Sequence, residues 1–360
     1  MNKIKSILAE ERFNQETLVE LLGANQEESA LIFNKSAEIK AKYIGNKVHL
    51  RGLIELSNIC LKNCYYCGIR RGNKQTERYA ISDEEVEQAI RFAIEKNLGS
   101  IVIQSGELIS GQFISRVENI LQKSKELSGG KLGITLSCGE QKAETYQRWF
   151  NAGAHRYLLR IESSNRDLYY KIHPNDAAHD FDKRLLALQN LQKVGFQTGT
   201  GVMIGLPFQT LENLAGDLLF MRDMDIDMCG MGPYVEHEQT PLFQYKNILL
   251  PKNERVELSL KMIALLRIMM KNINIASTTA LQSLAVDGRE RALKAGANIM
   301  MPNITPGIYR NKYALYENKP GTSEEAEDSR INLEQLAERA GCQVSYGDWG
   351  DSRHFAEKID

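Results

Sequence analysis

Residues 49–67 read His49-Leu-Arg-Gly-Leu-Ile-Glu-Leu-Ser57-Asn-Ile-Cys60-Leu-Lys-Asn-Cys64-Tyr-Tyr-Cys67. The first nine alternate, with Ile54 and Leu56 on one side and Glu55 and Ser57 on the other, as a strand does when only one face meets an apolar layer. The strand runs into a loop that holds three of the chain's six cysteines. Seven further β-rich runs are predicted, at about 100–105, 132–138, 155–162, 197–205, 225–232, 272–278 and 297–302. Amphipathic stretches separate them. The clearest covers 82–96, where Ser82 and Glu85 form a capping box and Val86, Ile90, Ala93 and Ile94 share a face. Others are predicted at 112–126, 140–152, 181–194, 211–224, 253–270 and 289–295. Eight strands alternating with helices predict an α/β fold, a complete (β/α)8 TIM barrel.

The barrel spans residues 46–316 on this reading. Residues 1–45 form an N-terminal helical extension. Residues 317–360 form a polar loop, ENKPGTSEEAEDSR at 317–330, and a C-terminal helical segment from about Ile331.

Active sites of such barrels lie at the C-terminal ends of the strands, where the cysteine loop falls. In the fourth run Tyr157, Leu159 and Ile161 alternate with Arg156, Leu158, Arg160 and Glu162. The apolar set should face the outer helices and the charged set the lumen. The third run agrees, with Ile134 and Leu136 outward and Thr135 and Ser137 inward. Ordinary barrels fill the interior with branched aliphatics, so this polar lumen points to a polar ligand or a charge network serving one. A purely structural ion pair, such as Arg156 with Glu55, is the competing reading. The fifth run puts Gly199, Gly201, Met203 and Gly205 on one face, which predicts room for a ligand against the backbone. Its G-x-G-x-x-x-G spacing, inside a strand, does not match a dinucleotide fingerprint.

The 360 residues are 42% hydrophobic and 25% charged, ordinary for a globular protein. With 45 basic and 46 acidic side chains the net charge is -1, and no basic stripe advertises nucleic acid as a partner. The N-terminus lacks the apolar stretch of a signal peptide or membrane span, which predicts a cytoplasmic protein with no membrane attachment.

For the cysteines three readings compete. A disulfide would leave one thiol over and suits an oxidising compartment. Structural zinc needs a fourth ligand, and His49 lies at the far end of the preceding strand. A four-iron cubane normally takes four thiolates, so three from one loop leave one iron open to an exogenous ligand, the mark of a catalytic cluster.

CxxxCxxC after the first strand of a barrel, with Tyr66 before the last cysteine, resembles the radical S-adenosylmethionine (SAM) superfamily. Ser105-Gly106-Glu107 falls where that superfamily has its Gly-Gly-Glu motif, with Ser in the first place. LIELSNICLKNCYYCGIRRGN, IVIQSGE, TLSCGE, AHRYLLRIES, GVMIGLPFQT, DMCGMGPYVEH, ASTTALQSL and ANIMMPNITPGIYRNKYALY together resemble the FeFe-hydrogenase maturase family of the biotin synthase-like branch, from about residue 10 to the terminal DWG. The resemblance implies one 4Fe-4S cluster on Cys60, Cys64 and Cys67, with one open iron chelated by SAM. Reduction of that cluster would cleave SAM to a 5'-deoxyadenosyl radical. It implies SAM contacts from Tyr66, Ser105, Gly106, Glu107, Ser137, Glu162, Arg184, Met203, Gly205 and Met228, with Arg184 on the SAM carboxylate. Arg184 falls in the first turn of a helix, where the dipole disfavours a cation, which by itself hints at an anion nearby. Substrate contacts are implied for Gln104, Thr135, Arg160, Thr278, Thr279, Ala280, Met301, Tyr309 and Tyr313, and catalytic roles for Arg160, Glu162 and Tyr309.

The implied substrate is small and anionic or iron-containing. The implied partners are the other hydrogenase maturases and an electron donor such as ferredoxin or flavodoxin. Many members of the family carry three auxiliary cysteines in the loop corresponding to 317–330, and here there are none. A second cluster is therefore not expected. Two alternatives stand beside the maturase: a non-catalytic iron–sulfur carrier, which would not need a SAM-shaped lumen, and a mutase of the same branch such as 3-methylornithine synthase. Biotin synthase itself needs ligands for a two-iron cluster, for which Cys138 and Cys229 are too few.

Overall fold

The structure, a computed structural model, describes residues 2–359, so Met1 and Asp360 lie outside the described residues. Eight parallel strands form the barrel: β1 Lys47–Ser57, β2 Ser100–Ser105, β3 Gly133–Ser137, β4 Arg156–Leu158, β5 Gln197–Thr200, β6 Met228–Cys229, β7 Asn274–Ile275 and β8 Ile299–Met300. Each pairs with the next from β1 to β7, and β8 pairs with β1. A parallel bridge between Ala276 and Ile299 closes the ring, with the Ser277 amide donating to the Ile299 carbonyl at 2.9 Å. The complete barrel is thus present, although several strands are shorter than the runs predict. Past a break in β5 and β6, Met203–Ile204 pairs with Gly232–Pro233 and carries the wall towards the mouth.

The alternation has the expected sense. Ile54, Leu56, Ile101, Ile103, Ile134, Leu136 and Tyr157 are fully buried in the apolar layer beneath the helices. Their neighbours Glu55, Val102, Gln104, Thr135 and Ser137 line the lumen. The first outer helix, Asp83–Glu95, is capped reciprocally by Ser82 and Glu85. It buries Val86, Ala89, Ile90 and Ala93, whereas Ile94 is 36% exposed. The spacing i, i+3, i+4, i+7 from Val86 selects Ala89 in place of Ile94.

Three helices, Asn2–Glu10, Gln15–Leu22 and Gln26–Tyr43, precede β1. The third packs on the barrel helix Lys252–Met269 and the second on Leu211–Asp223. The C-terminal helix starts at Ala326, earlier than predicted, because Glu325 and Asp328 form a capping box that reading the segment as polar loop overlooked.

The chain then plugs the bottom of the barrel. Gln343–Ser345 pairs with the start of β1, and the Trp349 carbonyl accepts from Ser100 Oγ at 2.7 Å and Arg156 Nη1 at 2.9 Å. Arg156, fully buried, is ion-paired with Asp351 and donates to Thr135 Oγ1 at 2.9 Å. The competing reading of Arg156 as a structural ion pair therefore holds, but with Asp351 and not Glu55 as its partner. Arg156 is at the bottom of the lumen with the C-terminal segment, while Glu55, higher in β1, is ion-paired with Lys319 from the loop after the barrel. Buried charges have found partners, but from a segment whose approach no local pattern announces.

Candidate functional site

The C-terminal ends of the strands open on a cavity of about 590 Å³. Cys60, Cys64 and Cys67 line it together, all as free thiols. Their loop is held by bonds to the segment after β4. The Asn63 amide donates to His179 Nε2 at 2.8 Å, the Tyr65 amide to the Ile172 carbonyl at 2.9 Å, and the Tyr66 hydroxyl meets His173 Nε2 at 3.2 Å. Burial pushes all three thiols up, Cys64 to about 12, and their mutual proximity adds to the shift at Cys64 and Cys67. Thiolates there need a positive partner. Among the described residues no group of three or more His, Cys, Asp or Glu side chains is arranged to hold a single metal ion. An all-thiol donor set suits iron–sulfur chemistry.

Beside the thiols, two strand ends repeat one motif: Ser105-Gly106-Glu107 after β2 and Cys138-Gly139-Glu140 after β3. Each glycine is required by close approach. A Cβ on Gly106 would lie 2.3 Å from the Ile59 carbonyl oxygen, and one on Gly139, at φ 75°, would lie 2.4 Å from the Glu107 side chain. The Glu107 amide, in turn, donates to Cys60 Sγ at 3.3 Å.

The two glutamates join two cations in a buried chain. Lys62 Nζ is 3.2 Å from Glu107 and 3.0 Å from Glu140, and Arg184 Nε is 2.5 Å from Glu140. Burial raises Glu107 against the pull of Lys62 and Arg184. Burial alone would lower Arg184, but Glu140, Tyr169 and Glu107 outweigh it and hold the guanidinium charged. Arg184 is in the first turn of Phe181–Val194, as predicted, and also donates to the Arg160 carbonyl at 3.2 Å. Glu162 takes a left-handed φ of 66°, a strained conformation for a non-glycine residue, and meets Arg160 Nη2 at 3.0 Å.

The same cavity is lined by Tyr66, Gln104, Ser105, Thr135, Ser137, Arg160, Glu162, Met203, Met228, Thr278, Thr279, Ala280, Met301 and Tyr313. Two predicted residues are not brought to it. Tyr309 stacks on Tyr79 at 4.8 Å and donates to Glu85 Oε2 at 3.0 Å, because the short helix Gly307–Arg310 turns it towards the outer helix. Tyr316 lines the cavity instead, its hydroxyl 2.6 Å from Thr279 Oγ1. Gly205 abuts the Arg255 side chain, 2.6 Å from where a Cβ would lie. The glycine face of the fifth run mainly admits protein: Gly199 accommodates Leu158 and Met228, and Gly201 the Gly230 backbone.

Sequence reasoning missed Lys62, Glu140 and Lys319. Glu140 was legible in the repeated Gly-Glu at successive strand ends. Lys62 stands within the cysteine loop, but nothing local shows that it turns inward. Lys319, from the loop predicted to lie outside the barrel, lines the cavity and donates to the Tyr313 carbonyl at 3.1 Å.

A parallel barrel with three thiols at the mouth, beside a buried acid–base chain, defines a radical SAM enzyme, and the sequence model of the radical SAM superfamily matches residues 54–221. Over 353 residues the chain is 39% identical to the FeFe-hydrogenase maturase subunit HydE of Thermotoga maritima, covering 98% of this chain and 97% of that one. It therefore belongs to the HydE family of hydrogenase maturases. It is also 28% identical over 282 residues to a biotin synthase of Geobacillus kaustophilus, covering 76% and 80% of the two chains. Methylornithine synthase (PylB) shares the fold, with a TM-score of 0.80 over 96% of this chain and 98% of that one at 23% identity. The superfamily implies a four-iron cluster and SAM as cofactors, and this chain is an iron–sulfur, SAM-dependent enzyme. Among the described residues no helix is long and apolar enough to cross a membrane.

Proposed function

We propose that the protein cleaves SAM reductively on one 4Fe-4S cluster held by Cys60, Cys64 and Cys67, and uses the radical on a small cysteine-ligated iron complex during assembly of the hydrogenase diiron site. The cluster, when bound, supplies one electron to the SAM sulfonium and an open iron for its amino acid end. The chain's own residues do the positioning. Glu107 and Glu140 offer carboxylates, and Lys62 and Arg184 cations, within one buried chain beside the thiols, so an α-amino acid zwitterion finds both complements at once. That juxtaposition is the observation that carries the reading. The rest of the SAM site is assigned to Tyr66, Ser105, Gly106, Ser137, Glu162, Met203 and Met228. Arg160 faces the substrate with Gln104, Thr135, Thr278, Thr279, Ala280, Met301 and Tyr313. Arginine, hydroxyls and two thioethers suit a compact anion carrying a soft atom. The setting proposed is the cytoplasm, with the other maturases as partners.

Arg184→Ala should leave cluster assembly intact but weaken SAM binding, because it removes a charge-assisted bond worth roughly 1.5–3 kcal/mol, about 10- to 150-fold in Kd. Calorimetry with the reconstituted protein measures this, and an unchanged affinity would reject the role. The substrate is tested by mixing protein, SAM and dithionite with the iron complex or with L-lysine. Radical addition at sulfur should give an adenosylated product by mass spectrometry. Formation of 3-methylornithine from lysine, with no adenosylated product, would establish the mutase reading in its place.

A further inference from the structure

Arg289 lines the cavity from the β7 side and is 4% exposed. Its carbonyl accepts from Ser277 Oγ, just past β7, at 3.0 Å, which fixes the start of the helix Gly288–Lys294 against that strand end. Its side chain is unpartnered. Nε is buried without an acceptor, and among the described residues the guanidinium takes part in no hydrogen bond or ion pair. Other cations of the cavity differ. Lys62, Lys319, Arg160 and Arg184 are each ion-paired with a glutamate, and Arg51 donates to Met228 Sδ at 3.3 Å and to the Gly350 carbonyl at 2.9 Å. Burial lowers Arg289 to about 10, with Tyr316 and Glu324 pulling the other way, so the guanidinium is charged at neutral pH. A buried charge without a counter-charge is costly, and one that lines a cavity is satisfied by an anion bound there.

Glu324 lines the same cavity, and its Oε1 accepts from Asn332 Nδ2 at 3.1 Å. It is near enough to help hold Arg289 charged, yet forms no ion pair with it. A cation and a carboxylate that face one cavity without joining each other match the two ends of an α-amino acid. In the closed ring β7 lies across from β3, whose end carries Glu140, so this pair is separate from the Lys62–Arg184 chain assigned to SAM. On the reading of the lumen as the chamber for a cysteine-ligated iron complex, we propose that Arg289 and Glu324 form a second amino-acid subsite, which holds the carboxylate of the substrate's cysteine on Arg289 and its amino group on Glu324. The hydroxyls of Tyr316 and Thr279, 2.6 Å apart and also in the cavity wall, are further donors for the carboxylate. Arg160, past β4, is left for the iron-bearing end. Since the carboxylate does not react, its bonds are alike before and during the radical step, and Arg289 sets substrate affinity and orientation rather than the barrier.

The test uses the reconstituted enzyme loaded with SAM and kept without reductant, so that the Lys62–Arg184 chain is already occupied. Calorimetric titration should show L-cysteine binding about tenfold or more tightly than cysteamine, which lacks the carboxylate. Arg289→Gln is expected to remove that advantage and leave cysteamine as in wild type, and Arg289→Lys to recover part of it. Glu324→Gln should weaken L-cysteine but not 3-mercaptopropionate, which lacks the amino group. With the iron complex and dithionite, Arg289→Gln should raise KM by about tenfold or more and change kcat by less. L-cysteine affinity unchanged in Arg289→Gln, or equal losses for L-cysteine and cysteamine, would overturn the subsite. Loss of SAM binding in both Arg289 variants would make the residue structural and overturn it too. A wild type that binds L-cysteine through Arg289 but leaves the iron complex unreacted would uphold the subsite and overturn the reading of the substrate, a result distinct from a binding defect.

Discussion

Alanine at any one of Cys60, Cys64 or Cys67 is expected to abolish SAM cleavage altogether and to lower bound iron, while alanine at Cys138 or Cys342 leaves both near wild type. The difference follows from where the sulfurs are. The triad lines one cavity, held by the loop bonds to His173, His179 and Ile172. Cys138 is buried under the barrel wall, its Sγ directed at the Ile103 carbonyl, and Cys342 lies beside Lys40 near the barrel bottom. A cubane left with two protein thiolates exposes further irons to solvent and loses the single open site that a chelating ligand needs. Anaerobic reconstitution followed by iron analysis and deoxyadenosine assay measures the effect. About four irons per chain are expected in the wild type, since one triad holds one cluster. Iron near eight per chain, or equal losses at all five positions, would show that the triad is not special.

The barrel was legible because two-residue alternation and a capped amphipathic helix are local patterns. Tyr157 and Ile134 must face helices whichever residues those helices carry, and Ser82 with Glu85 starts a helix wherever it lies in space. The thiol loop was legible for the same reason, since its ligands are seven residues apart. What escaped depends on chain returning from far away. Arg156 could be read as inward-facing, but its partner Asp351 comes from nearly two hundred residues later. Lys319 enters the lumen from a loop of low hydrophobicity, which sequence alone assigns to solvent. Tyr309, Tyr313 and Tyr316 are interchangeable as aromatics in a pattern. Only the short helix after Pro306 decides which of them face the cavity. Glycine was misread in one respect: at Gly199 and Gly201 the room made is occupied by Leu158, Met228 and the Gly230 backbone.

Asp217→Asn is expected to make the protein more stable at pH 8 and to flatten the dependence of stability on pH between about 4 and 7. Asp217 lies fully buried on the helix Leu211–Asp223. Its Oδ1 accepts the Ser164 amide and hydroxyl, both at 2.6 Å, which holds the turn that follows strained Glu162. Its Oδ2 has no hydrogen-bond partner. Burial pushes the carboxyl up to about 7, only partly opposed by the two Ser164 bonds. The sign follows from the raised value. The folded protein holds the proton more tightly than the unfolded chain, whose aspartates titrate near 3.9, so the favourable contribution is complete below about pH 4 and is lost as pH rises through 7. Three pH units at 1.36 kcal/mol each make that loss roughly 4 kcal/mol, a large part of a typical folding free energy. Asparagine keeps the acceptor for Ser164 and carries no charge to desolvate, so it escapes the loss at high pH. Urea unfolding at pH 5 and pH 8 separates the outcomes: a stability difference for Asp217→Asn as steep as that of wild type would mean that the buried carboxyl is not the group responsible.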